Sequence, residues 1–218
     1  MNKNNSVVSE YPEDKFVIVI GREFGSGGRR VGKILADKLG CSYYDNELLS
    51  EAARAMGFSK EIFNAHDEKK PSPFNTFLQG VYGIPSNFHD TSVGGSSLYR
   101  AQSNAIKNIC RKNSCVIVGR TADYVLRDHP GMISVFLHSP LEHRAVKIIE
   151  RGDALTKAQA FEIARRHDRN RESYYNYYTG RHWGRASNYH LSIDASLLKE
   201  EEIADIIIAF LNAKRRHI

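Results

Sequence analysis

The chain has 218 residues, a length that predicts one domain, or one domain with a small insert, and ample material for a core. It is 41% hydrophobic and 26% charged with 16 Gly and 6 Pro, which excludes disordered, collagen-like and fibrous classes. The net charge of +6, from 31 basic and 25 acidic residues, leaves nucleic acid, a membrane surface or a phosphorylated small molecule open as partner.

No apolar run approaches the ~20 residues of a membrane span. The longest, Ile206 to Leu211, is short and follows a charged helical pattern. The polar start, Met1 to Glu10, predicts no secretory signal. Cys41, Cys110 and Cys115 have no Cys-x-x-Cys spacing, which predicts neither a disulfide framework nor a zinc site and suits a reducing cytoplasm.

In chain order, residues 1–14 read as a flexible leader. Phe16 to Ile20 is a continuous apolar, β-branched run stopping at Gly21, the pattern of a strand buried on both faces. After a glycine-rich turn, Val31, Ile34, Leu35 and Leu39 recur at helical spacing and Gly40 ends the helix. Asp45 or Asn46 caps a second helix with Leu48, Leu49, Ala52, Ala53 and Met56 inward. Residues 66–97 are rich in Pro, Gly, Ser and Asn and read as a mobile insert or lid. A helix is expected from about Ser97 to Arg111, then buried strands Cys115–Val118 and Met132–Leu137. A helix near Pro140–Arg151 precedes another starting at Thr156, where Gln159 completes a capping box. A short strand Tyr189–Ile193 and a helix Lys199–Lys214 close the chain. Strands alternating with helices predict a three-layer α/β fold, with a mainly parallel sheet and helices on both faces.

In such folds ligands bind beyond the C-terminal ends of the strands. There the sequence places Gly21-Arg22-Glu23-Phe24-Gly25-Ser26-Gly27-Gly28-Arg29-Arg30. Glycines let backbone N–H groups face a phosphate, and the following helix adds its positive end. Arg29 and Arg30 stand where a helix N-terminus has no need of positive charge, which favours a phosphate site over a plain tight turn. The usual pattern Gly-x-x-x-x-Gly-Lys-[Ser/Thr] is met imperfectly. With Gly27 as its second glycine, the lysine position is Gly28 and the hydroxyl position is Arg29. A second register through Gly32 and Lys33 fails because Gly32 falls inside the helix, and Lys33 is expected to pair with Asp37.

The second half is rich in arginine. Arg120 follows the second buried strand at the same sheet edge. Arg144, Lys147 and Arg151 share one helix face, and Arg165, Arg166, Arg169 and Arg171 form a dense run. A solvated helix face is the bland explanation; a clamp around polyphosphate is as good, since phosphoryl transfer depends on positioned positive charge. Tyr174, Tyr175, Tyr177, Tyr178 and Trp183 are expected to pack against the core or a partner rather than stack bases. His138 and His143 lack partners at metal-ligand spacing.

The loop Arg22 to Arg29, the stretch Tyr44-Asp45-Asn46-Glu47-Leu48-Leu49 and the stretch Val116-Ile117-Val118-Gly119-Arg120 resemble the cytidylate kinase-like family of bacteria, over about residues 16–213. The resemblance implies a P-loop kinase-like domain over 15–218, with an acceptor-binding insert region at 45–112 and a helical lid at 140–180. It implies ATP and magnesium, and transfer of the γ-phosphate to a nucleoside monophosphate, CMP above all. It assigns Arg22, Gly25, Ser26, Gly27, Gly28, Arg29 and Arg30 to the ATP phosphates. Asp45, Arg120, Asp123, Asp168 and Arg171 fall to the acceptor, and Asp123 or Asp45 to magnesium through water. Arg29, Arg144, Arg169 and Arg171 would carry the catalytic charge, with Arg29 or Arg30 replacing the absent lysine. Glu51 and Ala164 stand where the family has arginines, and Thr121 where it has an aspartate. A nucleotide sensor with weak chemistry is the alternative. A nucleic-acid binder ranks last, since +6 among 25 acids is a modest footprint. A homodimer through 174–189 is permitted but not demanded.

Overall fold

The computed structural model describes residues 11–12, 14–45, 47–49 and 92–216. Most of the expected leader, the positions Glu51, Ala52, Ala53 and Met56, and most of the insert at 66–97 lie outside the described residues. Tyr11, inside the expected leader, is buried and lies 4.4 Å from the His129 ring.

Five parallel strands form the sheet, in the order β2-β3-β1-β4-β5: β1 Val17–Arg22, β2 Ser42–Tyr44, β3 Cys115–Val118, β4 Met132–His138 and β5 Leu191–Asp194. Among the described residues the helices are α1 Gly28–Leu39, α2 Ser92–Lys112, α3 Ala122–Val125, α4 Leu141–Glu150, α5 Lys157–Thr179 and α6 Glu200–Arg215, and residues 47–49 are helical as well.

The apolar run of β1 is central because both of its faces are covered. Ile18 and Ile20 pack with Val31 and Leu35 of α1 and with Ile203, Ile207 and Leu211 of α6. Val17 and Val19 point the opposite way, onto Ile106 and Ile109 of α2 and Val125 of α3. The two-residue alternation of a strand thus feeds two separate cores, one on each side of the sheet. Each fully buried Val or Ile adds about 1.5–3 kcal/mol of transfer free energy. A third cluster, Ala145, Ile148, Ala154, Ala160 and Ala164, ties α4 to α5, with Phe24 of the loop after β1 packed against it.

Several boundaries differ from the sequence reading. β1 runs on through Gly21 and Arg22 because β4 continues beside it, Gly21 opposite Phe136 and Arg22 opposite Leu137. Gly21 is not a stop. A Cβ there would come within 2.9 Å of Phe136, so the glycine makes room for that ring. α2 begins at Ser92 and takes in Gly94 and Gly95, which the sequence reading placed in the insert at 66–97. The last strand starts at Leu191, because a 3₁₀ turn at Ala186–Asn188 precedes it and Tyr189 packs against Phe136 instead. The Thr156–Gln159 capping box forms as expected, with Gln159 N–H donating to Thr156 Oγ1 at 3.2 Å. Lys33 lies over the Tyr43 ring at 6.0 Å rather than in an ion pair with Asp37.

Candidate phosphate site at the sheet edge

The turn from β1 to α1 lies at the C-terminal edge of the parallel sheet. Gly25 (φ 85°) and Gly27 (φ 87°) adopt the left-handed region that side chains rarely enter. Both are also crowded. A Cβ on Gly25 would meet the Arg144 carbonyl oxygen at 3.0 Å, and one on Gly27 would meet Glu200 Oε1 at 3.2 Å. Ser26 bonds back through its hydroxyl to the Glu23 carbonyl at 3.0 Å. Gly27 caps α1, and its carbonyl accepts the Arg30 and Val31 N–H groups at 2.9 and 3.1 Å, which leaves the Gly28 and Arg29 N–H groups at the open end of the helix. The α1 first turn holds no acid. Arg29 and Arg30 there are exposed, with Arg29 3.9 Å from Glu47.

The loop is clasped from α4 and α5. Asp168 accepts the Phe24 N–H at 2.7 Å through Oδ1, and its Oδ2 takes Arg144 Nη1 at 2.5 Å. Arg144 also donates to the Phe24 carbonyl at 3.1 Å and reaches Glu23 Oε2 at 3.5 Å. Glu23 Oε2 accepts the Ser139 N–H at 2.9 Å, joining the loop to the start of α4. Arg171 donates to the Arg22 carbonyl at 3.0 Å. The Phe24 ring stacks on His167 at 4.1 Å, with the Arg151 and Arg171 guanidinium groups 5.1 and 5.5 Å from its centre. Burial, then the nearby Arg171 and Arg166, push the His167 pKa down to about 4.

Arg144, Asp168 and Arg171, expected around the transferring phosphoryl group and the acceptor, therefore bind the loop itself. Of the assigned arginines, Arg29, Arg30 and Arg169 are exposed and Arg22 is half-buried. Of the shared face on α4, Arg144 turns to Asp168, Lys147 to Glu200 at 3.0 Å beside Gly27, and Arg151 to Asp153 at 2.7 Å.

Beyond β3, Gly119, Arg120 and Thr121 all have positive φ, a strained run of 86°, 60° and 52°. Buried Arg120 donates to Gln102 Oε1 at 3.2 Å and lies 6.0 Å from the centre of the Tyr174 ring. Asp123 is buried and accepts from Tyr175 Oη at 2.7 Å, and burial raises its carboxyl pKa. Asp45, after β2, accepts the Glu47 and Leu48 N–H groups at 3.1 and 3.4 Å. It is the helix cap expected from the sequence. Tyr174 and Tyr175 are buried, Tyr178 stacks on Tyr99 at 4.2 Å and Trp183 meets Phe136 edge-on at 5.2 Å. Tyr177 alone of that aromatic group stays largely exposed.

Among the described residues the donor set does not fit a protein-held magnesium. Arg29 occupies the hydroxyl position, and β3 ends at Val118 and is followed by Gly119-Arg120, with no carboxylate. Asp45 is engaged as a cap and Asp123 by Tyr175 and burial. Among the described residues no group of three or more His, Cys, Asp or Glu is placed to hold a metal ion. Nor, among them, is any helix long and apolar enough to cross a membrane.

Sequence reasoning missed Glu23, Gln102, the Lys147–Glu200 pair and the Phe24–His167 stack. The one available signal was a carboxylate and an aromatic ring set inside an otherwise cationic, glycine-rich turn.

The family model described as the cytidylate kinase-like family matches residues 17–197. The cytidylate kinase of Pyrococcus horikoshii is 26% identical over 202 residues, 92% of this chain and 91% of that protein. A shorter match, 41% identical over 61 residues, joins it to shikimate kinase 3, chloroplastic, of Oryza sativa subsp. japonica. That stretch is 28% of this chain and 21% of the rice protein. A solved structure of an uncharacterized protein from Eubacterium ventriosum superposes with a TM-score of 0.69 at 28% identity, covering 91% of this chain and 99% of that one. Shikimate kinase from Acinetobacter baumannii, solved with shikimate, shares the fold at a TM-score of 0.51 and 14% identity, over 92% of this chain and 95% of its own.

Proposed function

The chain belongs to the cytidylate kinase-like family, and from that premise we propose that it transfers the γ-phosphoryl group of ATP to a nucleoside monophosphate, with CMP the favoured acceptor. The observation that carries this reading is the turn between β1 and α1. Two left-handed glycines and a helix N-terminus face the C-terminal edge of a parallel sheet, with arginines in place of acids.

ATP supplies the phosphoryl group. The backbone N–H groups of Gly27, Gly28 and Arg29, at the N-terminal end of α1, hold its phosphates, and the Arg29 and Arg30 side chains add charge at the open side. Asp45 and Arg120, beyond the ends of β2 and β3, face the acceptor. Arg169, exposed on α5, brings a further cation as the α4–α5 pair closes. Arg144, Asp168 and Arg171 hold the loop to that pair. Their part is to position the cradle, since phosphoryl transfer is catalysed by placed charge more than by covalent chemistry.

A second reading, a nucleotide sensor of the same fold, draws support from Gly28 at the lysine position and from Arg144 and Arg171 being engaged with the loop. Chromatography after incubation with ATP and each nucleoside monophosphate separates the two. Diphosphate formed from one acceptor supports the kinase, whereas ATP binding without product supports the sensor.

A further inference from the structure

We propose that Arg22 is the phosphate-binding cation of this loop, reaching from the end of β1 into the place that a lysine at the start of α1 takes in the common loop pattern. The inference rests on the nucleotide-binding reading above and deepens it.

Arg22 is the last residue of β1. Its aliphatic stem lies against Gly28, the residue at the lysine position. A Cβ on Gly28 would stand 2.8 Å from both the Cβ and the Cγ of Arg22. These are stem atoms, so a side chain at Gly28 is admitted only if the whole arginine shifts, not its tip alone. Gly28 sits in α1, so the space taken by Arg22 excludes a side chain there, and the backbone angle does not. The Arg22 side chain then crosses to β3, the neighbour of β1 in the sheet. Its guanidinium rests over Gly119, where a Cβ would collide with Nη1 and come within 3.2 Å of Cζ. Two glycines, one at the start of α1 and one in the turn after β3, thus shape a channel for one arginine along the ligand-binding edge of the sheet.

The mainchain of Arg22 is fixed on two sides, by pairing with Leu137 of β4 and by Arg171 donating to its carbonyl. The cation is therefore placed before any ligand arrives. Arg29, the sequence-based substitute for the lysine, is by contrast exposed and turned toward Glu47. A planar guanidinium offers paired donors to a phosphate, where a lysine offers a point charge. The glycine at the lysine position is then a consequence of moving the cation, not a loss of it.

The test is calorimetric titration of ATP into the full chain and three variants. The account expects Arg22→Ala to weaken ATP binding about ten- to a hundred-fold, the scale of a lost charge-assisted hydrogen bond. Gly28→Lys alone is expected to weaken binding as well, because its Cβ strikes Arg22. The double variant Arg22→Ala with Gly28→Lys, which restores a lysine at the helix start, is expected to return to within a few-fold of the parent. If Arg22→Ala does not fold, Gly28→Ala carries the test, since it displaces the arginine without removing it. Unchanged ATP affinity in Arg22→Ala, or no recovery in the double variant, overturns this inference alone. No ATP binding by the parent chain overturns both it and the kinase reading.

Discussion

Asp168, on α5, accepts the backbone N–H of Phe24 at 2.7 Å across 144 residues of sequence, while its second oxygen holds Arg144. One carboxylate therefore locks a helix to the phosphate loop. Its removal leaves the Phe24 N–H unsatisfied and leaves Arg144 with Glu23 and the Phe24 carbonyl only. Asp168→Ala is expected to lower unfolding free energy by about 2–3 kcal/mol in urea titration, the scale of lost hydrogen bonds to charged groups. Asp168→Asn, which keeps an oxygen for Phe24, is expected to lose less. Parent-like stability in Asp168→Ala would remove the clasp from the account.

Stability is expected to fall on acidification through the His167 site. Its folded pKa is about 4 against an ordinary 6.5, so between these values the unfolded chain binds the extra proton. The contribution is complete above about 6.5 and is lost as pH falls toward 4. His129 and His190, also depressed by burial, add to the same limb. Thermal midpoints measured across this window should decline more gently in His167→Phe, which keeps a ring on Phe24. An identical slope in parent and variant contradicts the assignment.

Gly32, inside α1, packs directly on the sheet. A Cβ there would lie 2.9 Å from Val118 Cγ2 and 3.0 Å from Tyr43 Cε2. Gly32→Ala gains about 1 kcal/mol of helix propensity but overpacks at a cost of about 1–3 kcal/mol. A net loss in thermal unfolding is expected, and a clear gain would show that α1 stands off the sheet.

Tyr175 is the hydroxyl donor to the buried Asp123 carboxyl, and burial already raises that acid. Tyr175→Phe is expected to cost about 1–3 kcal/mol by leaving the acceptor unsatisfied. Asp123→Asn, which still accepts the bond and sheds a buried charge, should cost less. The reverse order in denaturant titrations would contradict this pairing.

The layered sheet was legible because Val17 to Ile20 and Cys115 to Val118 are apolar on every residue, which only a doubly covered strand requires. The Thr156 cap and the Asp45 cap were legible because capping chemistry is local. Whether Arg144 and Arg171 faced ligand or protein was not legible. That depends on Asp168 and the Phe24 and Arg22 carbonyls, which only the folded chain brings within reach. The meaning of Gly28 was hidden for the same reason, since the atom that excludes a side chain there belongs to the end of β1.

The most direct measurement of the central claim is chromatographic detection of nucleoside diphosphates after incubating the chain with ATP, a magnesium salt and CMP, alongside the other nucleoside monophosphates. Arg169→Ala serves as control, because Arg169 is exposed and its loss leaves the clasp intact. The account predicts ADP and CDP in equal amounts, with the rate at least about tenfold lower in the control. Absence of diphosphate with every acceptor, from a chain that remains folded, would contradict it.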